Sequence, residues 1–290
     1  MEKPLDFIPQ RVISLVPSVT ESLFDLELGD RVVGITDYCT QPASGVSSLT
    51  RVGGTKNPRL DKIVQLAPDL VIVNQEENRR EDVEALRKAG IAVWVTFPRS
   101  VQDALNLLWT MMDVFDEARM VYRVRSIEQT VDFISRIELT RATPCRVFAP
   151  IWLDPLMTFN HDTFAHDLLR VCGGRNVFAE RERRYPLAAD LALVEAGNED
   201  RTQNASDRDV RYPRISMGEV VAAQPDVILL PSEPFAFGEE HVALFERLDV
   251  PAARDQRIHL VDGSLLTWHG TRIAHALTII PALLCPTDNM

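Results

Sequence analysis

The residues able to ligate a metal or run acid–base chemistry are thinly spread along this chain. Two of the close histidine pairs, His161/His166 and His269/His275, are five and six residues apart. A helix brings positions three or four apart onto one face, so neither spacing reads as a shared metal site. The four cysteines, Cys39, Cys145, Cys172 and Cys285, form no C-x-x-C pair and stand beside no histidine at zinc-ligand spacing. Buried free thiols are expected. Neither a G-x-S-x-G elbow nor an H-E-x-x-H helix occurs. Gly53-Gly54-Thr55-Lys56 lacks phosphate-loop spacing, and Asn57-Pro58 breaks the helix such a loop needs. No catalytic machinery is expected, and no intrinsic cofactor.

What remains is a set of aromatic and polar residues just after apolar runs. Pro17 and Ser18 follow the first run, Tyr38 the second, and Asn74 and Gln75 the third. Trp152, Glu233, Phe235, Trp268 and His269 hold corresponding places in the second half. Open α/β sheets bind ligands outside the carboxyl ends of their strands. If both halves turn these loops to one cleft, its aromatic lining suits a large flat or apolar ligand.

The elements that must position these loops alternate. Val12–Val16, Arg31–Thr36, Leu70–Asn74 and Val93–Phe97 read as buried strands, with helices at Arg59–Leu66 and Arg79–Ala89. A first helix opens at Pro17-Ser18, with Ser18 as N-cap and Glu21 completing a capping box. Strands apolar throughout, alternating with helices, predict a mainly parallel sheet covered on both faces. Ser100–Ala142 carries neither Gly nor Pro and is expected to be helical, broken near Asp116-Glu117. Its second helix, running to about Thr140, would be roughly 35 Å long.

After Pro144 the alternation resumes. Strands are expected at Arg146–Trp152, Asn176–Phe178, Val227–Leu230 and Ile258–Val261, and helices at Thr163–Val171, Ser216–Ala223, Gly238–Arg247 and Thr271–Leu284. Ile63–Val73 and Val220–Leu230 echo one another as short helix, Pro-Asp, buried strand. The expected architecture is therefore α/β, with two Rossmann-like lobes, residues 1–115 and 144–290, joined by a long backbone helix over 116–143. Residues 189–209, polar and weak in apolar side chains, read as an insertion between Arg184-Tyr-Pro and Arg211-Tyr-Pro.

The chain has 290 residues, 46% of them hydrophobic, and a formal net charge of −11. That size allows two lobes with real cores. The acidic balance, without a dense Lys/Arg run, argues against nucleic acid and anionic membranes as partners. No stretch is long and apolar enough to span a bilayer, and a monomer is expected. The first ten residues lack the apolar core of a secretory leader, which places the chain as written in the cytoplasm. Periplasmic or cell-surface placement is the alternative if a leader has been removed.

Several segments together are distinctive. R-V-I-S-L-V-P-S-V-T-E (11–21), V-V-G-I-T-D-Y (32–38), R-V-G-G-T-K-N-P (51–58) and L-A-P-D-L-V-I-V (66–73) lie in the first half. V-C-G-G-R-N-V-F (171–178), Q-P-D-V-I-L-L-P-S-E-P-F (224–235) and L-V-D-G (260–263) lie in the second. In that order they resemble the cobalamin and iron-siderophore substrate-binding proteins of ABC importers, especially the helical backbone metal receptor branch. The resemblance spans about Arg11 to Leu284. It implies two lobes, a rigid connecting helix, and a corrinoid, haem or ferric siderophore held between them for delivery to a permease.

Tyr38 matches an aromatic cleft position of the cobalamin group, whereas the place of a cleft tryptophan is taken by Thr55, beside Lys56. Trp152, Trp268 and His269 are the compensating candidates, and a neutral His269 imidazole is a candidate ligand for cobalt or iron. Permease docking would use an acid on each lobe. The nearest are Glu76, Glu77 and Glu81 in the first and Glu219 and Glu239 in the second, while the aligned positions themselves hold Arg80 and Gly218. The alternatives are a cytoplasmic carrier or sensor no longer coupled to transport, and an enzyme acting on a corrinoid or metal complex on the same fold.

Overall fold

The computed structural model describes residues 5–138, 144–191 and 208–284. The chain divides into two compact units. The first comprises Met1–Thr130 together with Trp268–Ala274, and the second Val131–Thr267 with His275–Met290.

In the first unit, β1 (Val12–Ser14), α1 (Pro17–Asp25), β2 (Val32–Ile35), α2 (Ala43–Val46), β3 (Thr50–Arg51) and α3 (Leu60–Gln65) follow in order. They lead to β4 (Leu70–Asn74), α4 (Arg80–Lys88), β5 (Ala92–Thr96) and α5 (Val101–Phe115). The five strands are all parallel, in the order β3-β2-β1-β4-β5. The order reverses between β1 and β4, which is where such a sheet opens a crevice at its carboxyl edge. Ile13, Leu15, Val71 and Val73 are buried with Ile63 and Leu86 from the covering helices. This burial explains why the strands read as unbroken apolar runs.

Residue Asp116 adopts a left-handed conformation and ends α5, at the expected break. The next helix, α6 (Val121–Glu138), spans 18 residues, or about 27 Å. The chain passes from the first unit to the second within it, between Thr130 and Val131.

The second unit contains β6 (Cys145–Phe148), β7 (Trp152–Leu153), β8 (Leu156–Met157), α7 (Phe164–Val171), β9 (Gly174–Asn176) and α8 (Leu187–Asp190). Then come α9 (Met217–Ala223), β10 (Val227–Pro231), α10 (Glu239–Phe245), α11 (Pro251–Arg254), β11 (Ile258–Val261), α12 (Ser264–Thr267) and α13 (Ile273–Leu284). A four-stranded parallel sheet runs β11-β10-β6-β9. Phe148, Ile228, Leu230 and Phe245 lie at its core.

Three expectations are corrected. The strand expected over Arg146–Trp152 ends at Phe148, and Trp152 instead begins an antiparallel hairpin of β7 and β8. Ser18 does not cap α1: Val16 is the N-cap, Pro17 fills the first turn, and Ser18 and Glu21 turn to tertiary partners. Residues Trp268–Ala274, expected with the second lobe, pack with the first unit. Most of the expected insertion, 192–207, and the expected end of the second helix at Thr140 lie outside the described residues.

The internal echo has a structural cause. Arg11, just before β1, donates to the carbonyls of Leu66 and Ala67 at 2.6 and 3.1 Å, at the end of α3. Arg146, in β6, donates to those of Ala223 and Gln224 at 2.6 and 3.1 Å, at the end of α9. The backbone N–H of each arginine is in turn accepted by the Pro-Asp carboxylate, Asp69 in one unit and Asp226 in the other. Each arginine thus satisfies orphan helix carbonyls and favours the negative end of the helix dipole.

Candidate functional site

The first unit's crevice, at the carboxyl ends of β1 and β4, is occupied by its own side chains. Asn74 closes β4, and its Oδ1 accepts the Glu76 N–H at 2.7 Å. That bond fixes the amide orientation, so the NH2 group faces His269 Nε2 at 3.4 Å and Thr96 Oγ1 at 3.4 Å. Nε2 is therefore the accepting nitrogen of a neutral ring. Ser18 Oγ, from the first turn of α1, lies 3.3 Å from the same nitrogen. His269 is only 5% exposed, and burial lowers its pKa to about 4.

Around the imidazole runs a polar seam. Ser22 Oγ accepts the Thr271 N–H at 3.1 Å, and Arg272 meets the Glu21 carboxylate through two nitrogens at 2.9 and 2.7 Å. Gly270, between them, has φ +88° and lies so close to Ser22 that a Cβ there would collide with its hydroxyl. Ser18, Glu21 and Ser22 stand at i, i+3 and i+4 of α1, so one helix face receives the whole returning segment. The expected metal ligand His269 thus meets partners that already hold its accepting nitrogen. Among the described residues, no group of three or more His, Cys, Asp or Glu side chains is placed to hold a metal ion.

Outside this seam the expected residues form an exposed rim. Tyr38 is 64% exposed. A Cβ on the neighbouring Gly54 would stand 3.4 Å from its ring. Lys56 Nζ donates to the Glu76 carbonyl, and Asn78 Nδ2 donates to the Thr55 carbonyl at 2.9 Å. These two bonds tie the loop after β3 to the loop after β4. Gln75 is exposed beside them. Trp268 is half-buried, with the Arg272 guanidinium 5.2 Å from its ring centroid.

In the second unit, Trp152 is 43% exposed and packs edge-on against Phe235, with ring centroids 5.5 Å apart. Glu233 accepts the Thr267 hydroxyl at 2.7 Å. Of the acids considered for docking, Glu81 is exposed in the first turn of α4 and Glu239 in that of α10. Glu76 and Glu77 are half-buried. Glu219 is committed: it completes a capping box with Ser216 and pairs with Arg181 at 3.0 Å. Sequence reasoning missed Thr96, Asn78 and Arg272, because their partners Asn74, Thr55 and Glu21 are distant along the chain. It also missed His241, whose partners Gly238, Phe235 and Phe237 are local but carry no recognisable motif. The Ser18/Glu21/Ser22 stripe was the available signal, a polar face on a helix whose neighbours are apolar.

A family model described as periplasmic binding protein matches residues 12–262. The chain belongs to that family. Among its relatives, a vitamin B12-binding protein of Vibrio cholerae serotype O1 is 24% identical over 238 residues, covering 80% of this chain and 74% of the relative. Among solved structures, the periplasmic vitamin B12 binding protein BtuF of Vibrio cholerae superposes with a TM-score of 0.73 at 20% identity, covering 95% of this chain and 96% of that one. The periplasmic heme-binding protein RhuT of Roseiflexus sp. RS-1, in apo form, gives 0.72 at 22% identity, covering 95% and 97%. Family membership and nearly full coverage agree with the two-sheet α/β fold. These relatives are named as binding proteins. No helix among the described residues is long and apolar enough to cross a membrane.

Proposed function

We propose that this member of the periplasmic binding protein family binds a corrinoid or a metal chelate, such as haem or a ferric siderophore, and presents it to an ABC permease. The observation that carries this reading is the pair of aromatic side chains left open beyond strand ends, Tyr38 after β2 in the first unit and Trp152, in the hairpin after β6, in the second. A tyrosine and a tryptophan offer large, stiff contact area at low entropic cost, which suits a flat conjugated ligand. The relatives' names, vitamin B12-binding and heme-binding, support the same ligand class. Their periplasmic setting is carried over as the compartment of action.

In this reading the ligand contacts are Tyr38, Thr55, Lys56 and Gln75 of the first unit, Trp152 and Phe235 of the second, and Trp268 on the returning segment. Pro17, Ser18, Asn74 and His269 belong to the polar seam of the first unit rather than to its open rim, and Glu233 anchors Thr267 in the second. His269 is assigned to support rather than to a metal, because Asn74 already donates to its accepting nitrogen. Glu81 and Glu239 are the exposed acids assigned to permease docking.

The test is a titration of the purified chain with haemin and dicyanocobinamide, followed by intrinsic tryptophan quenching. Trp268→Ala is expected to weaken the bound ligand about tenfold, as loss of a buried aromatic contact does. Its unfolding temperature should hold, since Arg272 keeps its pairing with Glu21. Wild-type affinity in that variant would remove Trp268 from the site.

A further inference from the structure

We infer that His241 is a positioning residue: its imidazole sets the orientation of Phe235 and, through Phe235, of the exposed Trp152 that meets a flat ligand. The inference rests on the ligand class proposed above and names a residue behind the contact surface. His241 is the third residue of α10, and its Nδ1 accepts the backbone N–H of Gly238, the residue preceding that helix, at 2.8 Å. This hydrogen bond fixes the ring's rotation, because the acceptor nitrogen must point back along the chain. The side chain is 16% exposed.

So fixed, the ring meets two phenylalanines in near-perpendicular contacts. Phe235 lies 5.3 Å away at 78° and Phe237 5.5 Å away at 79°. Phe237 is buried and packs on Phe245 at 6.3 Å, which ties the group to the core. Phe235 is only partly buried and stands 4.7 Å from Phe237. It contacts both His241 and Phe237, and it also touches Trp152 at 5.5 Å and 71°. The indole has one further restraint, its N–H donating to the Asp154 carbonyl at 3.0 Å. That bond restrains the indole's N–H edge, and Phe235 supports its ring. Edge-to-face pairs are directional, so removing the imidazole lets Phe235 relax toward the space it vacates. Trp152 then loses its support.

Two substitutions separate this role from a helix-capping role. His241→Gln keeps an acceptor at the position where a cap takes Glu or Gln, but removes the ring. His241→Phe keeps a ring and removes the acceptor. With 15N-labelled tryptophan, the chain gives four indole resonances. The resonance of Trp152 is identified by its loss in Trp152→Phe. In His241→Gln the Trp152 resonance should shift, and affinity for haemin or dicyanocobinamide should fall about five- to tenfold, the scale of one aromatic pair. His241→Phe should retain most of the affinity.

An unmoved Trp152 resonance in His241→Gln overturns the inference whatever the affinities. So does a shifted resonance with wild-type affinity. Loss of binding in His241→Phe with none in His241→Gln would assign His241 to the helix cap instead. If the unmodified chain binds neither probe, the proposed ligand class fails, while the Trp152 resonance still decides whether His241 orients the indole.

Discussion

Between pH 7.5 and pH 4.5 the folded chain should lose roughly 2 to 3 kcal/mol of stability through His269 alone. The imidazole is buried against Ser18 and the Asn74 amide, and its pKa falls from 6.5 to about 4 on folding. As pH drops below 6.5, the unfolded chain takes up a proton that the folded chain refuses until about 4. The unfolded state therefore gains ground across that window, and stability rises again with pH. The contribution is fully present above about pH 7 and gone below about pH 4. Paired carboxylates such as Glu21 also weaken the fold in acid, so the effect is read as a difference. His269→Leu should be less stable than the wild type at pH 7.5, since Ser18 and Asn74 lose a partner, yet its stability should depend less on pH. Urea denaturation at the two pH values measures both slopes, and parallel slopes would show that His269 is not held neutral in the fold.

Asp190→Ala should cost about 3 kcal/mol, the low end of what breaking a buried ion pair removes. The Asp190 carboxylate is completely buried. Its Oδ1 accepts from Arg181 Nη1 at 3.1 Å and from the Arg184 N–H at 2.9 Å, while Oδ2 accepts the Arg214 N–H at 2.9 Å. One residue thus ties together the two stretches that flank residues 192–207. Removing it leaves two amide N–H groups without their acceptor and takes the carboxylate, one of several acceptors, from the nearly buried Arg181 guanidinium. Arg181 keeps Glu219 at 3.0 Å, which limits the loss. The Asp167–Arg170 pair on α7 is the control: its arginine is 63% exposed, so Asp167→Ala should cost under about 1 kcal/mol. Equal effects of the two substitutions by urea denaturation would contradict the burial assigned to Asp190.

Where the fold was legible, local physics and the final structure coincide. β4 is buried at every position, so its sequence Leu70–Asn74 is an uninterrupted apolar run closed by one polar residue. The break at Asp116 was legible because a left-handed residue tends to be Asp or Asn. Local rules failed where a side chain's partner is distant in sequence. Ser18 and Glu21 have the spacing of a capping box, but their partners His269 and Arg272 are 251 residues away and outcompete the local bonds. β7 and β8 escaped notice because two-residue strands show no alternation to read.

The strand-end rule brought Ser18, Asn74 and His269 to one place, yet it could not say that they would satisfy one another. Nor could it separate that closed seam from the open rim around Tyr38. The arginines that answer the Pro-Asp echo, Arg11 and Arg146, were visible as an R-V pair at the start of each apolar run. Their meaning required the helix ends they reach.

The claim that this chain is a receptor for a corrinoid or metal chelate is tested most directly by thermal unfolding with each candidate ligand. Cobalamin, dicyanocobinamide, haemin and a panel of ferric siderophores would each be added in turn at increasing concentration. A ligand that binds the native state, present at 100 times its dissociation constant, adds roughly 2.7 kcal/mol of stability. The account predicts a rise of several degrees in unfolding temperature with one class and none with the others. An unfolding temperature unchanged by every ligand, up to millimolar concentration, would contradict it.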